Sequence, residues 1–307
     1  MKIRVLVNPK AGAGAALRKI PEVVGELQRR GIPHDVVQTT RPREAETMVD
    51  RALDDGVDCL AVVGGDGTLN EVVQGYLDPE GRPKPGPELG LIPAGTGGDF
   101  RKSFGLTGSV QASVARLVEG TPRPIDLGVL ELLGGQRPLR RAFVNVMSFG
   151  LGGLTDRIVN DGPKWMGGRS AFLFGAVRAL LVYRNARTQV TVDGAPFYEG
   201  PIVNVAVANG RYFGGGMMIA PAADPSDGRF DVVAIGDLNR LRTLMLTGHI
   251  YKGTHVRVSG VEVTRGTVVE ARAFSTRERV LIDLDGETPG QLPLRASLRP
   301  SALRLRV

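Results

Sequence analysis

The chain has 307 residues, more than one small core needs and enough for two domains. Its 42% apolar and 23% charged residues describe a globular rather than a disordered protein, and the lone Cys59 excludes both a disulfide framework and a cysteine metal site, which fits a reducing cytoplasm. The 39 Lys plus Arg against 32 Asp plus Glu leave a charge of +7, which favours polyanions such as nucleic acid, an anionic lipid surface or phosphate ligands. In chain order, Lys2 to Asn8 reads as a strand, too short for the apolar region of a signal peptide. A helix over Ala13 to Arg30 ends at Gly31, and His34 to Thr39 forms a second strand. Pro42 to Asp55 is helical, with Ala45, Met48, Val49 and Ala52 on one face. Strand Cys59 to Val63, a glycine loop, helix Leu69 to Leu77, strand Leu89 to Ile92, the loop Pro93 to Asp99 and helix Val110 to Glu119 follow. This alternation predicts a parallel, three-layer α/β domain over residues 1–126, with its ligand crevice at the carboxyl ends of the strands.

Beyond Asp126 the period changes to two. Ala142 to Val146, Gln189 to Val192, Ile202 to Ala208, Phe230 to Ile235, Val256 to Arg265, Thr267 to Ala273 and Val280 to Asp283 read as strands separated by turns. Helices are expected at Lys164 to Tyr183 and Leu238 to Ile250. Residues 127–307 are therefore expected to form a β-rich, β-sandwich-like domain, its last residues packing back on the first. The longest apolar stretch, Ala171 to Tyr183, is interrupted by Arg178 and far short of the roughly 20 residues a membrane span needs.

The most informative segment is Gly64-Gly65-Asp66-Gly67-Thr68-Leu69-Asn70-Glu71, where a β-branched run stops at glycines and opens a helix. Glycines let backbone N–H groups approach a polyphosphate, and a helix start adds unpaired N–H groups. A carboxylate beside phosphate is repulsive unless a cation lies between them, so Asp66 points to Mg²⁺ with a nucleoside triphosphate. Alone, the motif also suits a tight strand-to-helix turn in which Asp66 only caps a helix. Two further glycine loops end strands of the same domain: Asn8-Pro9-Lys10-Ala11-Gly12-Ala13-Gly14 and Pro93-Ala94-Gly95-Thr96-Gly97-Gly98-Asp99-Phe100. Neither has the spacing of a P-loop or of a dinucleotide fingerprint.

The β-rich half carries two acidic turns. Asp224 and Asp227 lie three apart before a strand, where paired oxygens with a backbone carbonyl could hold a hard cation or simply form an Asx-type turn. Asp283, Asp285, Gly286 and Glu287 end another strand, where a carboxylate could accept a proton from a hydroxyl or belong to a plain hairpin. His34, His249 and His255 fall in no catalytic pattern and read as structural or surface residues.

Taken in order, the segments Asn8 to Gly14, Gly64 to Glu71, Gly95 to Phe100, Ile125 to Gly128, Ala223 to Asp231 and Asp285 to Glu287 resemble the diacylglycerol kinase catalytic family in its bacterial lipid-kinase branch. That branch is related to sphingosine and ceramide kinases and, more distantly, to NAD kinases. The resemblance implies a diacylglycerol-kinase- and NAD-kinase-like fold and an ATP- and Mg²⁺-dependent lipid kinase. By the same resemblance ATP contacts Asn8, Pro9, Lys10, Ala11, Gly12, Thr39, Gly65, Asp66, Gly67, Thr68, Leu69, Asn70, Glu71 and Thr96, with Asp66 close to the catalytic Mg²⁺. A second Mg²⁺ falls to Asp224, Asp227 and the carbonyl of Arg229, Asp126 joins the acidic network, and Glu287 accepts the proton of the lipid hydroxyl. One position departs from the family, which carries Asn where this chain has Gly98. An NAD-kinase-type kinase of soluble metabolites, or a nucleotide-binding membrane sensor with weak catalysis, are the alternatives.

Residues 157–187 hold Arg157, Lys164, Arg169, Arg178, Arg184 and Arg187 against the single acid Asp161, interleaved with Trp165, Met166, Phe172, Leu173, Phe174 and Leu180. Such a segment suits an anionic leaflet, although the same apolar residues could simply pack the helix on the sandwich. The expected partner is a lipid substrate at an anionic membrane surface, reached by a cytoplasmic protein peripherally associated with the inner face, and a homodimer is expected. Nucleic acid is not, since aromatics are only 5% and no base-stacking or basic-tail signature occurs.

Overall fold

Alternation in IRVLV places Ile3, Val5 and Val7 on one face of the first strand and Leu6 on the other, and all are buried. Such two-sided burial is the signature of a parallel sheet covered by helices on both faces. The computed structural model describes residues 1–94, 98–135, 138–161, 168–275 and 278–307. The chain divides into two compact units, Met1–Leu127 with Arg299–Val307, and Gly128–Leu298.

The first unit contains, in order, β1 (Ile3–Val7), α1 (Ala15–Arg29), β2 (His34–Gln38), α2 (Ala45–Asp54), β3 (Cys59–Gly64), α3 (Asp66–Gln74), β4 (Glu88–Pro93), α4 (Asp99–Ser103) and α5 (Val110–Glu119), and it takes in the start of β5 (Pro122–Leu132). The strands run parallel in the order β2-β1-β3-β4, with Val5 beside both Val36 and Ala61 and Ala61 beside Gly90. On one face Ala16, Val23 and Leu27 of α1 and Val110, Val114 and Leu117 of α5 pack on Val5, Ala61 and Ile92. The foreseen stripe of α2, Ala45, Met48, Val49 and Ala52, is buried. The third helix begins at Asp66 rather than Leu69, because Gly65 takes the extended N-cap conformation and the next residue already turns. Among the described residues no helix is long and apolar enough to cross a membrane.

The second unit continues with β6 (Leu139–Phe143), β7 (Val146–Gly150), α6 (Leu151–Asn160), α7 (Gly168–Val182), β8 (Ala186–Val192), β9 (Ala195–Ile202), β10 (Asn204–Ala208), β11 (Tyr212–Phe213), β12 (Met217–Met218), β13 (Phe230–Ile235), α8 (Arg240–Tyr251), β14 (Val261–Gly266), β15 (Val268–Ala273), β16 (Leu281–Leu284), β17 (Glu287–Gln291) and β18 (Leu294–Arg306). One antiparallel sheet has the order β14-β13-β10-β7-β16-β17, and β15 pairs antiparallel with β8 and β18 in a second. Inward residues of both, among them Phe143, Phe149, Val190, Val205, Phe230, Val269 and Ile282, form one buried cluster, the core of a β-sandwich. Within it the rings of Phe143 and Phe230 stack at 5.5 Å.

Three strands differ from the sequence expectation, and one of them, Ile202 to Ala208, is split at Val203 between the end of β9 and β10. Ala142 to Val146 is not one strand, since β6 ends at Phe143 and β7 opens at Val146, with the Asp285 carboxylate accepting the N–H groups of Val144 and Val146 at 3.2 and 2.9 Å. Val256 to Arg265 begins with a 3-10 turn at His255–Arg257, and strand β14 starts only at Val261, after Gly260 with φ 89°.

Candidate active site

Parallel pairing sets Gln38 and Val63 beside Val7, and Gly64 beside Pro93, so the chain leaves β1, β2, β3 and β4 at one edge of the sheet. Two backbone bonds hold the outgoing loops to that edge: Thr39 N–H donates to the Val7 carbonyl at 3.0 Å, and Ala94 N–H to that of Gly64 at 2.9 Å. The first loop opens with an Asx turn in which Asn8 Oδ1 accepts the Lys10 N–H at 3.0 Å. It then passes through three successive left-handed residues, Gly12, Ala13 and Gly14, and delivers α1 with no side-chain cap and no acid in its first turn. Such a start presents backbone N–H groups and the positive end of the helix dipole.

An open cavity of about 330 Å³ at this edge is lined by Asn8, Pro9, Lys10, Gln38, Thr39, Thr40, Arg41, Pro42 and Glu71. Five of the residues singled out in the sequence, Asn8, Pro9, Lys10, Thr39 and Glu71, thus share one cavity. Gln38, Thr40, Arg41 and Pro42 were not foreseen there. Beyond Thr39, which the resemblance marks, nothing in the second strand-end loop signals it, because it has no glycine, and the β2–β1 pairing brings it in.

A smaller recess beside it is lined by Gly64, Gly65, Asp66, Leu69, Gly98 and Arg101, among others. Asp66 does not cap its own helix. Its Oδ2 accepts the N–H groups of Asp99 at 2.8 Å and Gly98 at 3.0 Å, and Oδ1 has a longer contact of 3.4 Å from Phe100, so the carboxylate receives the start of α4. Burial, joined by the Asp99 carboxylate, raises the Asp66 carboxyl above its ordinary value, an effect that these N–H groups only partly offset. Asp99 is itself buried and paired with Lys102 Nζ at 2.6 Å. Thr68, Leu69 and Asn70 are buried supports, with Asn70 Oδ1 accepting Gln74 Nε2 at 3.0 Å, whereas Gly67 is exposed. Thr96 lies outside the described residues.

Gly98 has a φ of 96°, and a Cβ built there would stand 2.4 Å from Arg101 Nε and 2.9 Å from its Cδ. The Arg101 stem therefore fills the space that a side chain at position 98 would enter. Its guanidinium donates to the Leu106 carbonyl at 3.2 Å, while Nε is buried with no hydrogen bond among the described residues. Asp126 is fully buried, and its Oδ1 accepts the Ser301 N–H at 2.7 Å, anchoring the end of the last strand within the first unit.

In the second unit, the turn before β13 brings Asp224, Asp227 and Arg229 together as two Asx turns: Asp224 Oδ1 accepts the Ser226 N–H and Asp227 Oδ1 the Arg229 N–H, both at 3.1 Å. The other Asp227 oxygen is ion-paired with Arg265, which also reaches Asp231 at 3.3 Å. Arg265 so provides a cation of the chain's own, and among the described residues no group of three or more acidic, histidine or cysteine side chains is arranged to hold a metal. One of the two Asp227 oxygens is thus charge-paired within the chain.

Glu287 follows a tight turn in which Asp285 and Gly286 have φ of 49° and 92°. Its carboxylate is half exposed and lies 3.6 Å from the buried Arg141 guanidinium. Beneath this hairpin the Asp283 carboxyl is hydrogen-bonded to Asp156 of α6 and accepts Gly286 N–H at 2.9 Å and Ser148 Oγ at 3.2 Å. Burial and the Asp156 charge hold Asp283 well above the usual carboxylate range, so the pair shares a proton. Asp156 carried no signal in the sequence, whereas Asp283 did, as an acid inside an apolar strand. The histidines are anchored to oxygens: His34 Nδ1 to the Ile32 carbonyl at 2.7 Å, His249 Nδ1 to Thr254 Oγ1 at 2.9 Å, and His255 Nε2 to the Ile219 carbonyl at 2.9 Å.

Comparison with known proteins adds to this geometry. Residues 2–130 match the model of the diacylglycerol kinase catalytic domain, and residues 145–307 that of the YegS C-terminal NAD kinase beta sandwich-like domain. The chain is 30% identical over 310 residues to a diacylglycerol kinase of Mycobacterium tuberculosis, covering 99% of this chain and 94% of that protein. It is 32% identical over 303 residues to a Xanthomonas euvesicatoria protein named "Probable lipid kinase YegS-like", covering 98% and 94%. In fold it is similar to a diacylglycerol kinase structure from Bacillus anthracis, with a TM-score of 0.69, 20% identity and coverage of 99% and 96%. An NAD kinase from Archaeoglobus fulgidus in complex with ATP shares the fold more loosely, with a TM-score of 0.52, 14% identity and coverage of 99% and 92%.

Proposed function

Because the chain belongs to the diacylglycerol kinase family, joining that family's catalytic domain to a YegS-type C-terminal domain, and is thus a lipid kinase, we propose that it transfers the γ-phosphate of ATP, with Mg²⁺, to the hydroxyl of diacylglycerol or a related lipid alcohol. The observation that carries this reading is the meeting at one sheet edge of Asn8, Thr39, Glu71 and the glycine turn at Asp66.

The residues of the first strand-end loop and the start of α1 bind the phosphates through backbone N–H groups, while Lys10 and Arg41 screen their charge. Asp66, a buried carboxylate at the glycine turn beside Asp99, would hold a hard cation whose charge offsets the two acids. Bound there, Mg²⁺ would neutralise charge building on the phosphates. Asp224 and Asp227 enter no step. Glu287, oriented by Arg141, takes the proton of the attacking hydroxyl as the oxygen–phosphorus bond forms and the bond from the γ-phosphorus to its bridging oxygen breaks. The acceptor is reached at an anionic membrane surface, which the exposed Phe174, Val177, Leu181 and Val182 of α7, with Arg178 and Arg184, suit. Trp165 and Met166 lie outside the described residues.

The test is transfer of labelled γ-phosphate to a panel of lipid alcohols in anionic mixed micelles by the parent, Asp66→Ala and Glu287→Gln. Labelled diacylglycerol or a related lipid is expected from the parent, with both variants depressed. No labelled lipid, or variants equal to the parent, would overturn the proposal. Binding of MgATP, read as a rise in Tm, should survive Glu287→Gln and be lost in Asp66→Ala.

A further inference from the structure

Helix α8 carries two apolar faces. Thr243, Leu246 and Ile250 form its buried stripe, and the last two join a cluster with Ile219, Ala220 and Val233. At 100° per residue the opposite sector is centred on Leu241 and holds Leu244, Met245 and Gly248, the positions where a helix on a protein surface ordinarily shows charge. Leu241 is 66% exposed, Met245 58%, Leu244 55% and Tyr251 48%.

Cations frame this apolar sector. By the same helical angle Arg240 and Arg242 fall on its two flanks and Lys252 at its C-terminal end, and all three are exposed. None of them is ion-paired with a described carboxylate, and no acidic residue occurs between Asp237 and Glu262. Asp237 is engaged elsewhere, accepting Asn185 Nδ2 at 2.7 Å. An open groove of about 450 Å³ runs beside the helix, lined by Leu238, Arg242, Met245, Leu246, His249 and Val258.

We infer that α8 docks on an anionic lipid bilayer, its Leu241, Leu244 and Met245 entering the acyl boundary while Arg240, Arg242 and Lys252 meet the phosphate headgroups. An exposed apolar stripe between unpaired cations matches a surface that is apolar beneath and negative above. A two-fold contact between copies would set the same cations against each other without a counter-charge. The choice of a bilayer over a protein partner rests on the lipid-kinase reading, but the site uses no residue of α7 or of the nucleotide edge.

Co-sedimentation of the intact chain with vesicles of phosphatidylcholine alone, and of phosphatidylcholine mixed with phosphatidylglycerol, tests this without ATP or acceptor. The parent should bind the anionic vesicles and be released by salt. Arg240→Gln with Arg242→Gln should weaken that binding about fivefold per charge removed. Leu241→Ser with Leu244→Ser and Met245→Ser should weaken it at least about tenfold, with thermal unfolding unchanged because the three side chains are exposed. Phosphorylation of a detergent-dispersed lipid alcohol should be untouched in both variants, while KM for the vesicle-embedded acceptor rises. A serine variant that sediments like the parent overturns the inference, as does one that only converts a dimer to a monomer in light scattering. If the parent phosphorylates no lipid at all, the lipid-kinase reading fails while the vesicle result still stands or falls by itself.

Discussion

Replacing Asp66 by Asn separates the shape of that side chain from its charge. In the parent, Oδ2 holds the Asp99 and Gly98 N–H groups at 2.8 and 3.0 Å, and Oδ1 has only the 3.4 Å contact from Phe100. An amide with its carbonyl oxygen in the Oδ2 place keeps both short bonds and sets its NH2 against the Phe100 N–H, losing one weak contact. The cost is about 0.5–1.5 kcal/mol, a fall in Tm of roughly 1–3 °C for a chain of this length. Loss of the repulsion from Asp99 offsets part of it. Activity should drop far more, by about 10²–10³-fold, the range for removing one preorganised electrostatic group. The pH dependence gives a second reading. A carboxyl raised in the folded state binds its proton more tightly there than in the unfolded chain, so it contributes a loss of stability as pH rises from its ordinary 3.8 through the raised value. The Asn variant lacks that component. Thermal unfolding across pH, run beside kcat/KM for γ-phosphate transfer, measures both. An Asn variant that keeps parental activity would reduce Asp66 to a structural anchor for α4 and refute the catalytic reading.

A Cβ added at Gly153 would stand 2.3 Å from the Leu281 carbonyl oxygen and 2.5 Å from its carbon, so Gly153→Ala should push α6 off β16 at a cost of about 1–3 kcal/mol, read by urea unfolding. A variant as stable as the parent would refute that contact. Asp283, raised well above its ordinary value by burial and by Asp156, contributes stability that is lost as pH climbs through its folded range. Asp283→Asn preserves a donor toward Asp156 and should flatten the fall of the urea midpoint as pH rises above 3.8, whereas parallel curves for parent and variant would contradict the shared proton. His255 is buried and its pKa is lowered by desolvation, so the unfolded chain takes up a proton near 6.5 that the folded one refuses. Stability should therefore fall as pH drops below about 6.5, and His255→Gln, which can keep a donor to Ile219, should lose that acid limb.

Where one face of an element meets one face of a neighbour, period alone carries the information. The α2 stripe Ala45, Met48, Val49 and Ala52 is readable for that reason, and the strand Cys59 to Val63 as a continuous apolar run, and both are buried. Helix α6 is not readable, because Gly152 and Gly153 at its start argue against a helix. In the fold they are required: Gly152 N–H donates to Asn204 Oδ1 at 2.9 Å, and Gly153 lets the helix touch the β16 backbone. Strand β18 is hidden likewise by Pro300 and Ser301, since Ser301 has a φ of 51° and is held by Asp126, a partner 175 residues earlier.

Local chemistry in the sequence by itself determined the glycine strand-ends at Asn8 and Gly64, the acids at Asp66, Asp227 and Glu287, and the lipid-kinase family they resemble in their order. It did so because turns, caps and phosphate loops are set by neighbours along the chain. Only the tertiary structure decided that Asp66 anchors α4 and not its own helix, that Arg265 already neutralises Asp227, that Arg101 fills the space beside Gly98, and that α8 turns Leu241, Leu244 and Met245 outward. Each of these depends on groups brought together by strand register and helix packing, with which partner a charge meets set by distance in space rather than along the chain.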